Sequence, residues 1–358
     1  APFLSFRPDL RNGLGRAAKR IFRDNSAVRA VRAHKWPILF VAIGFLLGRA
    51  MILEELTPFA LAYFAVICHL RQDLSFAVAM SALAGSVLSP HQNTMEIALG
   101  MLLFLLILKG LQRYERTDVS AAPLIVFLVM MSTGLFELIM RDNLHWYPLL
   151  MAAVESALGL VLTLIFIQAL PALMLERRDG RLRSEEIVCL MILLASIMTG
   201  TVGWSLQGAS VEHVLSRYLI LLFALAGGAP LGTSAGVIAG LILSLARVEA
   251  IYQISLLAFA GLLAGLLKEG KKLGVSFGFL VGSSILSLYV GEQTQILSSL
   301  LESLAAILLF WLTPRSVVSA LARHVPGTAE HTKRAGEYAK RVRDMTAARV
   351  EQFSDVFR

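Results

Sequence analysis

A succession of apolar segments, separated by charged or turn-forming residues, most constrains how this chain can fold. Of its 358 residues, 56% are hydrophobic and 16% are charged, whereas about a quarter of the residues in a soluble domain are charged. This pattern predicts an all-α, polytopic bundle of transmembrane helices. The segments run at about Trp36–Ile52, Leu56–Leu70, Ser75–Leu88, Met95–Leu108, Pro123–Met140, Leu149–Leu175, Ile187–Leu206, Tyr218–Ala229, Leu231–Ala246, Ile251–Leu267, Leu273–Val290 and Ile296–Leu312.

The number of spans depends on one glycine-rich break. Gly227–Pro230 separates two of the segments, and such a break fits either one broken helix or a re-entrant hairpin. Several segments are also shorter than the roughly twenty residues that cross a bilayer without tilt. We predict ten spans, with twelve as the alternative.

The distribution of positive charge predicts that both termini are cytoplasmic. Nine Lys or Arg precede Trp36 and nine follow Pro314. If successive segments cross the membrane in alternating directions, the basic connections lie on the same side as both ends of the chain. This is the positive-inside pattern. These connections hold Lys109, Arg113 and Arg116, then Arg177, Arg178, Arg181 and Arg183, then Lys268, Lys271 and Lys272. No aromatic residues interleave the basic ones as base stacking requires, so the predicted partner is membrane lipid and not nucleic acid.

Three regions follow: a basic cytoplasmic arm (1–35), the transmembrane bundle (36–313) and a juxtamembrane cytoplasmic helix (314–358). Pro326-Gly327 breaks the chain, Thr328 can cap a new helix, and apolar residues then recur at gaps of three to five. An exposed apolar stripe requires a partner helix, another copy of the chain or a following domain. The predicted self-association or partner-binding stripe is Tyr338, Val342, Met345, Val350, Phe353 and Phe357.

Glycines spaced by four are the most ordered feature within the apolar segments. This spacing stacks small residues on one helix face and lets a neighbouring backbone approach closely. We therefore predict close helix packing, either within one chain or between copies. The rows are Gly44 and Gly48; Gly228, Gly232, Gly236 and Gly240; Gly261 and Gly265; and Gly274, Gly278 and Gly282.

Two carboxylates lie about six residues inside apolar segments, Glu155 and Glu302. An acid at this depth suggests proton or cation handling, so a secondary transporter or channel is the alternative function. The sequence shows no second acid clustered with either residue and no nearby His. Arg49, Lys109 and Glu137 lie closer to segment ends, where long side chains reach the interface.

Motifs of soluble enzymes are absent from the sequence. Asp179-Gly180 is interpreted as a turn. Cys68 and Cys189 lie within apolar segments and indicate neither a disulfide framework nor a zinc site. The residues alone therefore predict an anchoring or assembly module with no catalytic, cofactor-binding or metal-binding residue.

Several runs of the sequence are specific enough to compare with a known family. They are Gly44–Ala50 (GFLLGRA), Glu55–Ala60 (ELTPFA), Glu186–Ser196 (EIVCLMILLAS), Tyr252–Gly261 (YQISLLAFAG), Lys268–Lys272 (KEGKK), Val325–His331 (VPGTAEH), Arg343-Asp344 and Val350–Asp355 (VEQFSD). These runs resemble the stage II sporulation protein E family of endospore-forming bacteria, and the resemblance extends from about Trp36 to Phe357.

This resemblance implies an N-terminal membrane region that leads into a cytoplasmic regulatory and self-association region. It also implies a manganese-dependent PP2C-type serine phosphatase domain beyond this chain, which dephosphorylates the anti-anti-sigma factor SpoIIAA and so activates sigma F in the forespore. The family anchors at the polar division septum and associates with septal proteins such as FtsZ. The catalytic carboxylates have no counterpart in this sequence, so the chain is expected to be an inactive fragment and a homo-oligomer.

Overall fold

The computed structural model of the chain is helical apart from one short hairpin and the connecting turns, within the residues that it describes. It describes residues 35–318 except 54, 90–93, 114–120, 142–144, 175–182, 207–208, 247–251, 291–292 and 315–317. The predicted basic arm, apart from Lys35, lies outside these residues. So does the predicted juxtamembrane helix apart from Pro314 and Val318, including its whole apolar stripe.

Twelve α-helices follow one another within the described residues. They are α1 (Lys35–Arg49), α2 (Pro58–Leu70), α3 (Ser75–Val87), α4 (Thr94–Arg113), α5 (Ala122–Met140), α6 (Trp146–Met174), α7 (Ser184–Thr199), α8 (Val211–Gly227), α9 (Ala229–Ala246), α10 (Tyr252–Leu266), α11 (Lys271–Val290) and α12 (Gln293–Leu312). Two short 3-10 helices occupy Gln72–Leu74 and Lys268–Gly270. Strands β1 (Ser205–Leu206) and β2 (Ala209–Ser210) pair antiparallel, with Ser205 opposite Ser210 and Leu206 opposite Ala209.

Local sequence explains where several helices begin and end. Pro58 opens α2, where a residue without an N–H is favourable. The backbone N–H of Arg183 donates to the Glu186 carboxylate at 3.0 Å and closes a capping box on α7. Gly228, with φ 76°, separates α8 from α9 because a left-handed residue stops a helix. Pro314 follows the end of α12 and cannot continue it.

Helix α2 is enclosed by protein. Every residue from Pro58 to Cys68 is buried, as expected for a helix that is apolar on all sides. One apolar cluster joins α2 to α1, α6 and α7, and a second joins it to α3, α4 and α5. A third cluster is formed mainly by residues of the six helices from α7 to α12. The buried Tyr63 hydroxyl donates to the Phe40 carbonyl oxygen at 3.1 Å, which satisfies the one polar group on that ring.

The predicted number of ten spans is not confirmed. By length and apolar character, four helical stretches could cross a membrane: Thr94–Leu111, Ala122–Met140, Trp146–Leu173 and Ala229–Ala246. The pair Gln253–Leu266 and Lys268–Ile285, bent by 66°, would add a fifth as one broken span. Pro37–Arg49, Pro58–Leu70 and Ser298–Leu312 are apolar but shorter. The span number and the cytoplasmic placement of the termini therefore stay predictions.

One sequence expectation needs correction at the element level. The apolar segment predicted at 187–206 is not one helix, because α7 ends at Thr199 and the chain turns through Gly203, with φ 86°, into β1. The doubtful glycine-rich pair forms two separate helices, α8 and α9, divided by a single residue.

We call the rim of the bundle that holds β1 and β2 the hairpin end, and the rim that holds Lys272 and Thr313 the exit end.

Candidate functional site

A charge cluster, formed by His213, Arg217, Gln253 and Glu302, lies among α8, α10 and α12. Glu302 is 5% exposed. Its Oε2 lies 2.9 Å from Arg217 Nη1, and its Oε1 lies 3.0 Å from His213 Nδ1. The backbone N–H of Ser210 also donates to Oε1, at 3.2 Å. The spacing of four between His213 and Arg217 places both on one face of α8, which explains why a single carboxylate meets both.

Further hydrogen bonds extend the charge cluster to neighbouring elements. Arg217 donates from Nη1 to the Ser299 carbonyl oxygen at 2.6 Å and from Nη2 to its hydroxyl at 3.0 Å. His213 Nε2 lies 3.0 Å from the Gln253 side-chain nitrogen on α10. If His213 carries its proton on Nδ1, it donates to Glu302 and accepts from Gln253. The cluster therefore joins three helices through groups that satisfy one another, as buried charges require.

The polar character of this region does not continue along α12 toward the exit end. One and two turns beyond Glu302, Ala306 and Phe310 are fully buried. They belong to the apolar cluster that also contains Phe279 of α11. The sequence from Ser303 to Leu312 contains no titratable side chain. The charge cluster is thus closed by apolar packing on that side.

Glu155 performs a capping role at the hairpin end. Its Oε1 accepts the backbone N–H of Thr57 at 2.7 Å, just before α2 begins. A carboxylate at a helix N-terminus satisfies an amide that has no partner within the helix and interacts favourably with the helix dipole. Glu96 of α4 and Glu137 of α5 lie close enough to interact with each other and with Glu155. Arg141 forms an ion pair with Glu137.

The partners of Glu155 and Glu302, the two acids predicted to lie within the membrane, come from segments distant in sequence. Glu155 does have other acids beside it, contrary to the sequence argument, and Glu302 contacts a His that lies 89 residues away. Arg49, expected to reach the interface, is largely buried within the protein. Its side chain turns inward, donates to the Val202 carbonyl oxygen at 3.0 Å and lies 4.8 Å from the centre of the Trp204 ring. Packing between helices, which spacing along the chain does not reveal, brings these groups together.

The predicted glycine rows lie at helix contacts within this chain. A Cβ at Gly48 would come within 3 Å of the backbone of Ala82, and one at Gly44 would meet Ser81 and Val78 of the same helix, α3. Along α9, the row faces the backbone of α10, which is the most extensive helix pair in the bundle. Gly228 instead lies beside Lys268. At each of the remaining glycines in these rows, an added Cβ would lie within 3 Å of backbone atoms. They are Gly232, Gly236, Gly240, Gly261, Gly265, Gly274, Gly278 and Gly282.

The residues that sequence reasoning missed are His213, Arg217, Gln253 and Lys272. The available signal was the His213–Arg217 spacing at the start of an otherwise apolar helix, which places two polar side chains on one inward face. Lys272 was interpreted only as part of a basic cytoplasmic connection. Its ammonium group instead donates to the carbonyl oxygens of Phe310, Trp311 and Thr313 at 3.1, 3.2 and 2.6 Å.

An all-α bundle with long apolar helices, glycine-mediated contacts and inward-facing charges has the character of a helical membrane domain. Among the described residues, no group of three or more His, Cys, Asp or Glu side chains is arranged to hold a metal ion. A family model described as "SpoIIE, N-terminal domain" matches residues 10–322. The chain therefore belongs to the SpoIIE N-terminal domain family.

Two relatives carry the name "Stage II sporulation protein E". The protein from Bacillus subtilis (strain 168) is 43% identical over 320 residues, covering 89% of this chain and 39% of the relative. The protein from Priestia megaterium is 52% identical over 122 residues, covering 34% of this chain and 21% of the relative. The chain thus spans about two fifths of the Bacillus subtilis protein. No solved structure matches the chain.

Proposed function

We propose that this chain is the membrane anchoring, septal targeting and assembly module of a sporulation protein of the SpoIIE family. The chain accounts for 39% of the Bacillus subtilis relative, and we assign the enzymatic activity to the remaining part. By resemblance, that activity is a manganese-dependent PP2C-type serine phosphatase that dephosphorylates SpoIIAA and activates sigma F in the forespore. No residue of this chain is assigned a catalytic, cofactor-binding or metal-binding role.

The observation that carries the anchoring role is the way the chain leaves the bundle. Lys272 holds the last carbonyl groups of α12, and the Tyr218 and Thr313 hydroxyls lie 2.9 Å apart. Val318, beyond Pro314, packs against the apolar cluster between α7 and α12. A bundle that holds its exit point in this way supports a role in positioning whatever follows. The proposed location is the cell membrane, and by resemblance the polar septum and the forespore.

The proposed partners are membrane lipid, further copies of the chain and septal proteins such as FtsZ, with SpoIIAA reached through the phosphatase. Assembly is proposed to use the predicted juxtamembrane stripe. Replacing Tyr338, Val342 and Phe353 together with Ser should lower the mass of the detergent-solubilised particle, because an apolar stripe drives helix pairing. An unchanged mass would refute the role of the stripe in assembly.

The transport alternative receives less support from the geometry. Glu302 forms an ion pair with Arg217 and a hydrogen bond with His213, and apolar residues close the cluster toward the exit end. Glu155 accepts a backbone hydrogen bond at the start of α2. Both acids therefore have structural roles that account for their burial. Proton or solute flux in liposomes that disappears in Glu155→Gln would reverse this preference.

The proposal is tested by the position of a fluorescent fusion of residues 1–358 in sporulating cells. Accumulation at the polar septum is the expected result, since the proposal assigns targeting to this module. A uniform membrane signal would overturn targeting and leave only anchoring. A matched fusion of residues 1–313, which lacks the predicted juxtamembrane helix, separates the contribution of the bundle from that of the helix.

A further inference from the structure

The C-terminal end of α12 is held by groups from two other helices. The last carbonyl oxygens of any α-helix have no partner within the helix. Here the Lys272 ammonium group, in the first turn of α11, donates to the carbonyl oxygens of Phe310 and Trp311 at the end of α12 and to that of Thr313 just after it, all within 3.2 Å. It also lies 5.5 Å from the centre of the Phe310 ring. A cation is favourable at a helix C-terminus and unfavourable at the N-terminus of its own helix, so Lys272 serves α12 and not α11.

Two further hydrogen bonds fix the same helix end. The Trp311 indole N–H donates to the Ser276 hydroxyl at 3.2 Å, again on α11. The Thr313 hydroxyl lies 2.9 Å from that of Tyr218 on α8. The end of α12 is therefore tied to α11 twice and to α8 once. Since Pro314 follows immediately, these contacts lie where α12 ends.

The turn that presents Lys272 has a strained backbone. Lys271 adopts φ 55° and ψ −141°, a conformation that a residue with a side chain rarely adopts. The axes of the helices on either side of the turn are bent by 66°. Strain of this kind persists only where the surrounding structure requires it. Here it sets the bend that places the first turn of α11 against the end of α12.

The same turn contacts the break between α8 and α9. Gly228 has φ 76°, and a Cβ built on it would lie 3.1 Å from the Lys268 Cδ and 3.3 Å from its Nζ. Gly228 therefore contacts Lys268, and Lys271 lies in the same short segment, Leu267–Lys272. This segment connects the two residues of the region that have a positive φ. A shift at the α8–α9 break would move Lys268, and with it the turn that carries Lys272.

We propose that Lys272 is a latch that fixes the direction in which the chain leaves the bundle. In this device the Leu267–Lys272 turn transmits movement at the α8–α9 break to the segment beyond Thr313. The inference rests on the proposed function only in that the segment beyond Thr313 leads to the rest of the protein. Opening the latch would change the orientation of that segment while the bundle stays folded.

The test is a distance measurement between spin labels on the 1–358 chain in lipid nanodiscs, with Cys68 and Cys189 replaced by Ala. The exit pair places one label at the exposed Leu266 and one at position 319. The bundle pair places labels at Leu266 and Leu304, which is exposed on α12. Lys272→Met should at least double the width of the exit-pair distribution and leave the bundle pair unchanged.

Lys109→Met is the matched control, because it removes the same charge from an exposed residue on α4, a helix outside the latch. The proposal is overturned if Lys272→Met leaves the exit-pair distribution no wider than in the parent chain, or if Lys109→Met broadens it equally. If Lys272→Met also broadens the bundle-pair distribution, the same two distances are measured in Lys272→Gln. Broadening of the exit-pair distribution alone in that variant supports the latch, and any other result rejects it.

The transmission step has its own variant. Gly228→Ala adds a Cβ against Lys268 and should shift or broaden the exit-pair distance, whereas an unchanged exit pair would reject transmission through the turn. All these measurements use purified protein. Failure of the latch therefore leaves the septal localisation result standing, and failure of localisation leaves the latch standing.

Discussion

Gly236→Ala gives the sharpest test of how the bundle is held together. Gly236 lies on α9 against the backbone of α10, where a new Cβ would be 2.6 Å from the Leu257 carbonyl carbon and 2.7 Å from the Ala258 Cα. Ordinary van der Waals contact lies at 3.4–4 Å, so the two helices must separate by about 1 Å. Neither obstructing atom is at the end of a flexible side chain that could rotate away.

The expected magnitude follows from two opposing contributions. Overpacking a tight contact costs about 1–3 kcal/mol, and a rigid backbone obstruction belongs at the upper end of that range. Alanine is favoured over glycine within a helix by about 1 kcal/mol. We therefore expect Gly236→Ala to lower the free energy of unfolding by about 2 kcal/mol.

Gly110→Ala is the matched control, since it makes the same change within α4 at a position with nothing within 4 Å of the new Cβ. It should stabilise the chain by up to about 1 kcal/mol. The assay is a titration from mild detergent into sodium dodecyl sulfate, followed by tryptophan fluorescence. If Gly236→Ala is as stable as Gly110→Ala, the glycine row is not what sets the α9–α10 distance and the reasoning fails.

Two further predictions concern the buried charges, and the same titration measures both. Arg217→Met or Glu302→Met alone should destabilise the bundle by about 3–5 kcal/mol, because the partner's charge remains buried without compensation. The double variant should recover most of that loss. A double variant no more stable than the single ones would contradict this. Glu155→Gln keeps an acceptor for the Thr57 N–H and should be nearly neutral, while Glu155→Leu removes it and should cost about 1–3 kcal/mol. Equal losses for the two Glu155 variants would show that the hydrogen bond at the start of α2 does not matter.

The helices were predictable because apolar composition and length indicate them directly. The hairpin was not, since the apolar segment predicted at Ile187–Leu206 includes β1, and the pairing of Ser205 with Ser210 depends on the folded chain. Glycine spacing indicated which faces allow close approach, but not which neighbour approaches. Glu302 could be recognised as unusual from its position, whereas Arg217 could not be assigned to it because the pair depends on how α8 and α12 pack.

The hydrogen bond between Glu155 and Thr57 joins residues 98 positions apart. Helix α2 is synthesised long before α6 supplies this carboxylate and before Phe166 reaches the Tyr63 ring, whose centre lies 6.4 Å away. At about 5–20 residues per second, translation leaves α2 without these partners for roughly 5–20 s. Until then α2 can pack only against its neighbours in the chain, α1 and α3 to α5, so its contacts with α6 form late in the assembly of the bundle.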